Sequence, residues 1–331
     1  MPIRLRSFIL PIFSYAIPTF VLVYPSFFVN WLSKTMNLAY WEVFAIVALP
    51  FLGRIMGSFL YQSLKFNAVA YCFPLLGLLV ILQNFLDLNI LAIVRFFVGV
   101  LFGLLTSYAV ESAVNSGNSA LVGLTTAGWS IGWVMGYFAF AFLKDWYDIT
   151  IVGFIIMLLS LLGLDNNEDF KWVKRSFISL PKLSSILIYI SALSPAFVLQ
   201  IIPSIFEGLG LAWLILPSYL LSIPVYVFLP VIGEFFGIRR VLVLSSVIVL
   251  ISCLLMFLYF PWMVLIFTSF GLGVLGLAPK YLVSRGEDSR KVGLALNIGS
   301  IMGLIIPTLY GVMPMSPELL LSALMIAMVI V

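Results

Sequence analysis

Apolar runs of membrane-crossing length follow one another almost without interruption, and this feature decides most of what the chain can become. A helix crossing about 30 Å of hydrocarbon needs roughly 20 apolar residues. Runs of that order occupy approximately 7–31, 42–63, 67–84, 89–111, 119–143 and 149–164, then 184–207, 211–236, 239–259, 262–283, 291–312 and 317–331. Most breaks are short, such as those around Tyr259–Trp262 and Pro314–Pro317. The exception is 165–182, which holds Asp165, Glu168, Asp169, Lys171, Lys174, Arg175 and Lys182 and separates six runs from six. The last run is barely long enough, so eleven spans remain an alternative to twelve.

Composition closes off the other fold classes. With 63% apolar and 9% charged residues over 331 positions, too few charges exist to cover a soluble surface. Disordered, collagen-like and coiled-coil chains need polar or periodic composition. There is no histidine, which removes imidazole metal ligands, Ser-His-Asp triads and histidine proton relays. Cys72 and Cys253 both lie within apolar runs, so neither a disulfide framework nor a cysteine metal site is expected. The start, Met1-Pro-Ile-Arg-Leu-Arg, resembles a signal-peptide n-region. The apolar run behind it is too long and lacks a small-residue cleavage site, so it reads as a first span that stays attached.

The charges fix the expected orientation. With the N-terminus inside, Arg4, Arg6, Arg54, Lys65, Lys171, Lys174, Arg175, Lys182, Arg239, Arg240, Lys280, Arg285, Arg290 and Lys291 fall at cytoplasmic ends, fourteen of seventeen cations. Lys34 and Lys144 fall outside, and Arg95 lies within a span. Arg54 fits this sorting least well, because it stands well inside its run. The split is the positive-inside bias of a multi-pass protein, with both termini cytoplasmic. The net charge of +4 is therefore no nucleic-acid footprint.

The two halves echo one another. Tyr108-Ala-Val-Glu-Ser leads into Val122-Gly123 and then Gly128, Gly132 and Gly136; Tyr281-Leu-Val-Ser-Arg-Gly leads into Val292-Gly293 and then Gly299 and Gly303. Val122 and Val292 are 170 residues apart, and Tyr108 and Tyr281 are 173 apart. Prolines also interrupt the first and seventh runs, at Pro11, Pro18 and Pro25 and at Pro195 and Pro203. Duplication of a six-helix unit is a transporter signature, since one half moving against the other exposes a central site alternately. The expected units are 1–164 and 184–331, joined by a cytoplasmic segment over 165–183.

Three stretches resemble the major facilitator superfamily. Pro230-Val-Ile-Gly-Glu234-Phe-Phe-Gly237-Ile-Arg239-Arg240 is similar to the family's motif between helices eight and nine. Arg95-Phe-Phe-Val-Gly99, continuing to Gly103, is similar to its Arg-xxx-Gly pattern in the fourth helix, and Gly128, Gly132 and Gly136 follow its fifth. The first-half counterpart of the acidic motif is eroded: Gly53, Gly57 and Lys65 survive, but Tyr61 stands where an aspartate is expected. The resemblance implies two pseudo-symmetric six-helix bundles around a cavity lined by the first, fourth, seventh and tenth helices.

Candidate residues follow from depth and position. Arg95 lies about 10 Å along its helix, where an arginine costs several kcal/mol unless it meets water or a partner. It reads either as a substrate or coupling residue or as a snorkelling, structurally paired cation. Tyr15 and Gln200 on the proline-broken first and seventh helices, with Asn297 of the eleventh, join it as candidate ligands; each reads alternatively as an interhelical hydrogen bond. Trp133, on a stripe with Trp129 and Tyr137, either stacks on an apolar substrate or fills the core. Glu111 is about 24 Å from Arg95, so the two cannot pair. The resemblance implies a cytoplasmic gating network for Glu111 and for Glu234, Arg239 and Arg240, with solvated surface charges as the alternative. No buried acid stands out as a proton carrier, so coupling to protons or another ion is left open.

The expected protein is a secondary transporter of the facilitator type in the cell membrane, a monomer moving a small organic anion or amphipathic solute by a rocking-bundle mechanism. An enzyme is not expected, because no phosphate-binding loop, metal constellation or catalytic cluster is present; no cofactor is implied. A non-transporting membrane scaffold or receptor with the same fold is the alternative.

Overall fold

A computed structural model of the chain describes residues 3–65, 67–163, 173–174, 176, 179–198, 210–257 and 260–305. Within these the chain is helical almost throughout. The first half forms α1 (Ile3–Val23), a 3-10 segment (Tyr24–Phe28), α2 (Val29–Met36), α3 (Tyr40–Ala48), α4 (Pro50–Ser63), α5 (Ala68–Leu82), α6 (Leu88–Asn115), α7 (Ser119–Thr126), α8 (Gly128–Leu143) and α9 (Ile149–Leu159). The second half forms α10 (Leu183–Val198), α11 (Ile215–Phe236), α12 (Ile238–Phe257), α13 (Met263–Ser284) and α14 (Ser289–Gly299). Among the described residues, seven helical stretches are long and apolar enough to cross a membrane. Ala68–Leu82, Trp146–Leu162 and Leu183–Leu193 are shorter apolar helices. The twelfth expected span, 317–331, lies outside the described residues.

Prolines divide the spans where the sequence places them. Pro11 and Pro18 lie inside α1, and Pro25 opens the 3-10 segment that joins it to α2. Pro50 starts α4 directly after α3 ends. Proline supplies no N–H, so each break leaves a carbonyl on the preceding turn without its helical donor. Pro195 lies within α10, and Pro203 falls outside the described residues.

The pseudo-repeat is visible in local chemistry. α6 is followed by Gly117 at φ +68°, and Asn118 then caps α7 by accepting from the N–H groups of Ala120 and Leu121. α13 is followed by Gly286 at φ +80°, and Asp288 caps α14 by accepting from Arg290 N–H. Each glycine takes the left-handed turn that a side chain disfavours, and each cap satisfies an orphan donor.

Helices α4 and α6 pack backbone to backbone. A Cβ on Gly53 or Gly57 would overlap the carbonyl of Phe96 or Val100, and one on Gly99 or Gly103 would meet the backbone of Pro50 or Arg54. This is the small-residue packing that membrane helices use in place of a hydrophobic drive. Apolar side chains such as Ile93, Phe97, Phe154 and Leu244 face outward, as lipid contact requires.

The halves meet along α6 and α14, α4 and α14, α7 and α11, α8 and α11, and α7 and α13. The segment between the halves adds a two-residue strand, β2 (Val173–Lys174), antiparallel to β1 (Leu64–Lys65) at the end of α4. That end is referred to below as the linker end.

Candidate functional site

Arg95 is buried on α6, but its guanidinium is engaged with the backbone. Nη1 donates to Val21 O at 3.1 Å and to Gln83 Oε1 at 3.4 Å; Nη2 donates to Leu22 O at 2.9 Å and Val47 O at 2.5 Å. Val21 stands four residues before Pro25, and Val47 lies at the break ahead of Pro50. At Val21 the arginine therefore supplies a donor that Pro25 withdraws, and at Leu22 and Val47 it binds carbonyls beside the two breaks. It clamps α6 to the broken first and second spans.

The cation without such partners is Arg54. It lies twelve residues into the run 42–63, about 18 Å along the helix, and is fully buried on α4. Nε donates to Oδ1 of Asn297 on α14, and the guanidinium carbon sits 4.2 Å from the centroid of Phe102 on α6. Tyr15 of α1 and Tyr189 of α10 are its electrostatic neighbours. The Tyr15 hydroxyl lies close enough to the guanidinium to accept weakly from it, but neither Nη1 and Nη2 nor the hydroxyls of Tyr15 and Tyr189 make a hydrogen bond of good geometry among the described residues. No carboxylate among the described residues is buried beside them, the buried acid being Glu287 near the linker end.

Both tyrosines are set by the repeat. Position 128 admits only glycine behind Tyr15, since a Cβ there would stand 2.7 Å from the tyrosine's own Cβ. Gly299 does the same behind Tyr189, at 2.8 Å. The fifth-span glycine ladder and its second-half counterpart thus press two pseudo-equivalent phenols toward the centre. Tyr15 also meets Phe102 edge-on at 6.5 Å between centroids.

Asn297 is placed at the same centre as a junction between halves. Its Nδ2 donates to Ser107 Oγ and Gly293 O, both at 2.9 Å, while Oδ1 accepts from Thr106 Oγ1 at 3.0 Å as well as from Arg54. All four of its hydrogen-bonding positions are in use. Trp133 stacks on Tyr219 of α11, at 5.1 Å and 11° between planes. One turn nearer the linker end, Ser222 donates to Ser130 at 2.6 Å. These contacts also cross between halves.

Of the expected gating residues, Glu234 bridges the halves at the linker end. Its carboxylate accepts from Ser119 of α7 and pairs with Lys280 of α13. Gln62 on α4 adds a second tie, donating to Arg290 O at 2.8 Å. Glu111 is partly buried near the end of α6 and is engaged with neighbours, and Arg239 and Arg240 are exposed at the start of α12. Gln200 lies outside the described residues.

Sequence reasoning assigned Arg54 to the cytoplasmic face and passed over Tyr189. Depth was the signal for the first, because Arg54 lies deeper in its run than Arg95 does. The second stands 174 residues after Tyr15, close to the repeat offset. Among the described residues, no group of three or more His, Cys, Asp and Glu side chains could hold a metal ion.

No family model and no curated protein matches the sequence. Solved structures do match in fold. The human organic anion transporter MFSD10 (TETRAN) aligns over 100% of this chain and 99% of its own, with a TM-score of 0.68 at 11% identity. The proton:xylose symporter XylE, solved with 6-bromo-6-deoxy-D-glucose, aligns over 98% of this chain and 92% of its own, with a TM-score of 0.69 at 12% identity. The chain has the fold of the major facilitator superfamily. It is a multi-pass membrane protein.

Proposed function

We propose that the chain is a secondary transporter that moves a small organic solute across the cell membrane by rocking one half against the other. The observation that carries the reading is the buried polar centre shared by both halves, in which Arg54, Tyr15 and Tyr189 keep donors unspent. A packed scaffold has no use for a buried cation without a counter-charge, and such a group in a membrane bundle marks a solute path. The moving bodies are residues 1–164 and 184–331, with 165–183 as the cytoplasmic joint and the cations of the linker end facing inward. The two structural neighbours carry an organic anion and, with protons, a sugar. The fold therefore leaves the solute open, and the residues of this centre must choose it.

In this reading, Glu234–Ser119, Gln62–Arg290 and the Asn297 junction hold the linker end shut, and Trp133–Tyr219 closes above the centre. Rocking must break one set while keeping the other. Side-selective labelling tests this. A cysteine replacing Thr126, which is buried toward the linker end, should react with a membrane-impermeant maleimide from the linker side only. A disulfide between cysteines replacing Ser119 and Glu234 should abolish that reaction, and reductant should restore it. Labelling that the disulfide leaves unchanged would refute the gating scheme.

A further inference from the structure

We propose that the Nη edge of Arg54, together with the hydroxyls of Tyr15 and Tyr189, is a binding site for the carboxylate of a small organic monoanion. The inference rests on the transporter reading and adds what is carried and which atoms hold it.

Two contacts fix the guanidinium. Asn297 takes Nε, and Phe102 lies 4.2 Å away against the flat face. With Nε and one face occupied, the Nη1–Nη2 edge remains beside the Tyr15 hydroxyl, and it too presents a pair of parallel N–H donors. A carboxylate accepts such a pair in the bidentate geometry for which guanidinium and carboxylate are matched. Two phenols at pseudo-equivalent positions on α1 and α10 can each donate one further O–H to it.

Charge selects among anions. Arg54 is the one cation at this centre among the described residues, since Arg95 is spent on carbonyls elsewhere in the first half. One negative charge balances it, whereas a phosphate or sulfate dianion would leave a surplus charge in low dielectric. A neutral amide would leave the guanidinium uncompensated. The surroundings select the rest of the solute: Phe102, Phe51 and Trp129 are buried alongside, with Phe51 and Trp129 at 6.5 Å between rings. A short aliphatic or single-ring carboxylic acid fits both demands. The tyrosines come from opposite halves, so one carboxylate held by both would couple binding to the angle between them.

The test uses the full-length purified protein in lipid nanodiscs and ligand-dependent thermal stabilisation as the readout. The probes are benzoate, phenylacetate and hexanoate, their neutral amides, and inorganic sulfate and phosphate. The expected result is stabilisation by at least one carboxylate with an apparent affinity about tenfold or more above its amide, and none by sulfate or phosphate, as a charge-assisted bidentate pair requires. Arg54→Gln should abolish that response. Arg54→Lys, which keeps the charge but loses the fork, should weaken it about tenfold. Tyr189→Phe removes one hydroxyl and leaves the ring in place, so it should weaken binding several-fold in a protein that folds normally. Overturning results are equal response to acid and amide, no response of the wild type to any carboxylate, or an unchanged response in folded Arg54→Gln. Uptake of the same probes into proteoliposomes separates the two proposals. Carboxylate binding at Arg54 without movement across the bilayer would sustain the site and defeat transport. Movement of amides as readily as acids would do the reverse.

Discussion

Arg54 and Asn297 lie 243 residues apart in the chain, and the arginine Nε donates to the asparagine side-chain oxygen in the buried centre. The bond joins α4 of the first half to α14 of the second. It also holds the guanidinium in place beside Tyr15.

Replacing Asn297 with alanine strips an acceptor from Arg54 Nε and from Thr106 and a donor from Ser107 at once, while Thr106 keeps its bond to Phe102 O. A buried polar group left unpaired, as Arg54 Nε would be, costs about 1–3 kcal/mol unless water reaches it. The variant should melt several degrees lower, and a cysteine at Thr126 should label faster from the linker side. An Asn297→Ala protein with wild-type stability and labelling would show that the junction holds nothing together.

Arg95→Gln should behave as a stability variant. It leaves the carbonyls of Val21, Leu22 and Val47 without the guanidinium, a loss on the order of 3 kcal/mol or more. Thermal denaturation should show that loss, while the folded fraction should keep the carboxylate preference of the wild type. Altered selectivity with unchanged stability would return Arg95 to the role of substrate residue.

Much of the architecture is legible in the sequence because lipid imposes it. Run length gives the spans, the 170-residue echo gives the pseudo-symmetry, and the caps Asn118 and Asp288 repeat it residue for residue. The site was harder to read because depth and charge do not reveal where a side chain points. Arg95 and Arg54 are both arginines inside apolar runs, yet one meets backbone carbonyls, Val21 O freed by Pro25 among them, and the other meets a ring and an asparagine. Tyr189 is one of several aromatics in its run, and only Gly299 behind it singles it out.

The glycines divide by environment in a way that mutation can measure. Gly57→Val would drive a side chain into the Val100 carbonyl across α4 and α6, and folded protein should be lost. Gly117 has nothing within 4 Å but stands at φ +68°, so Gly117→Ala should cost only about 1–2 kcal/mol of backbone strain. Yields and melting curves of the two variants check this; equal tolerance of both would contradict the close approach of α4 and α6.

Alternating access requires the two halves to rock about the shared centre. Spin-label distances in nanodiscs report that motion, on protein lacking Cys72 and Cys253. One label pair replaces exposed Asn115 and Arg239 at the linker end, and the other replaces exposed Phe85 and Trp213 at the opposite end. Two distance populations are expected for each pair, with the long population at one end matching the short population at the other. Whichever of benzoate, phenylacetate and hexanoate stabilises the protein should shift both in opposite senses, and Asn297→Ala should enlarge the fraction open at the linker end. A single distance for each pair, unmoved by ligand or by the Asn297 variant, would contradict alternating access and leave a static membrane protein of the same fold.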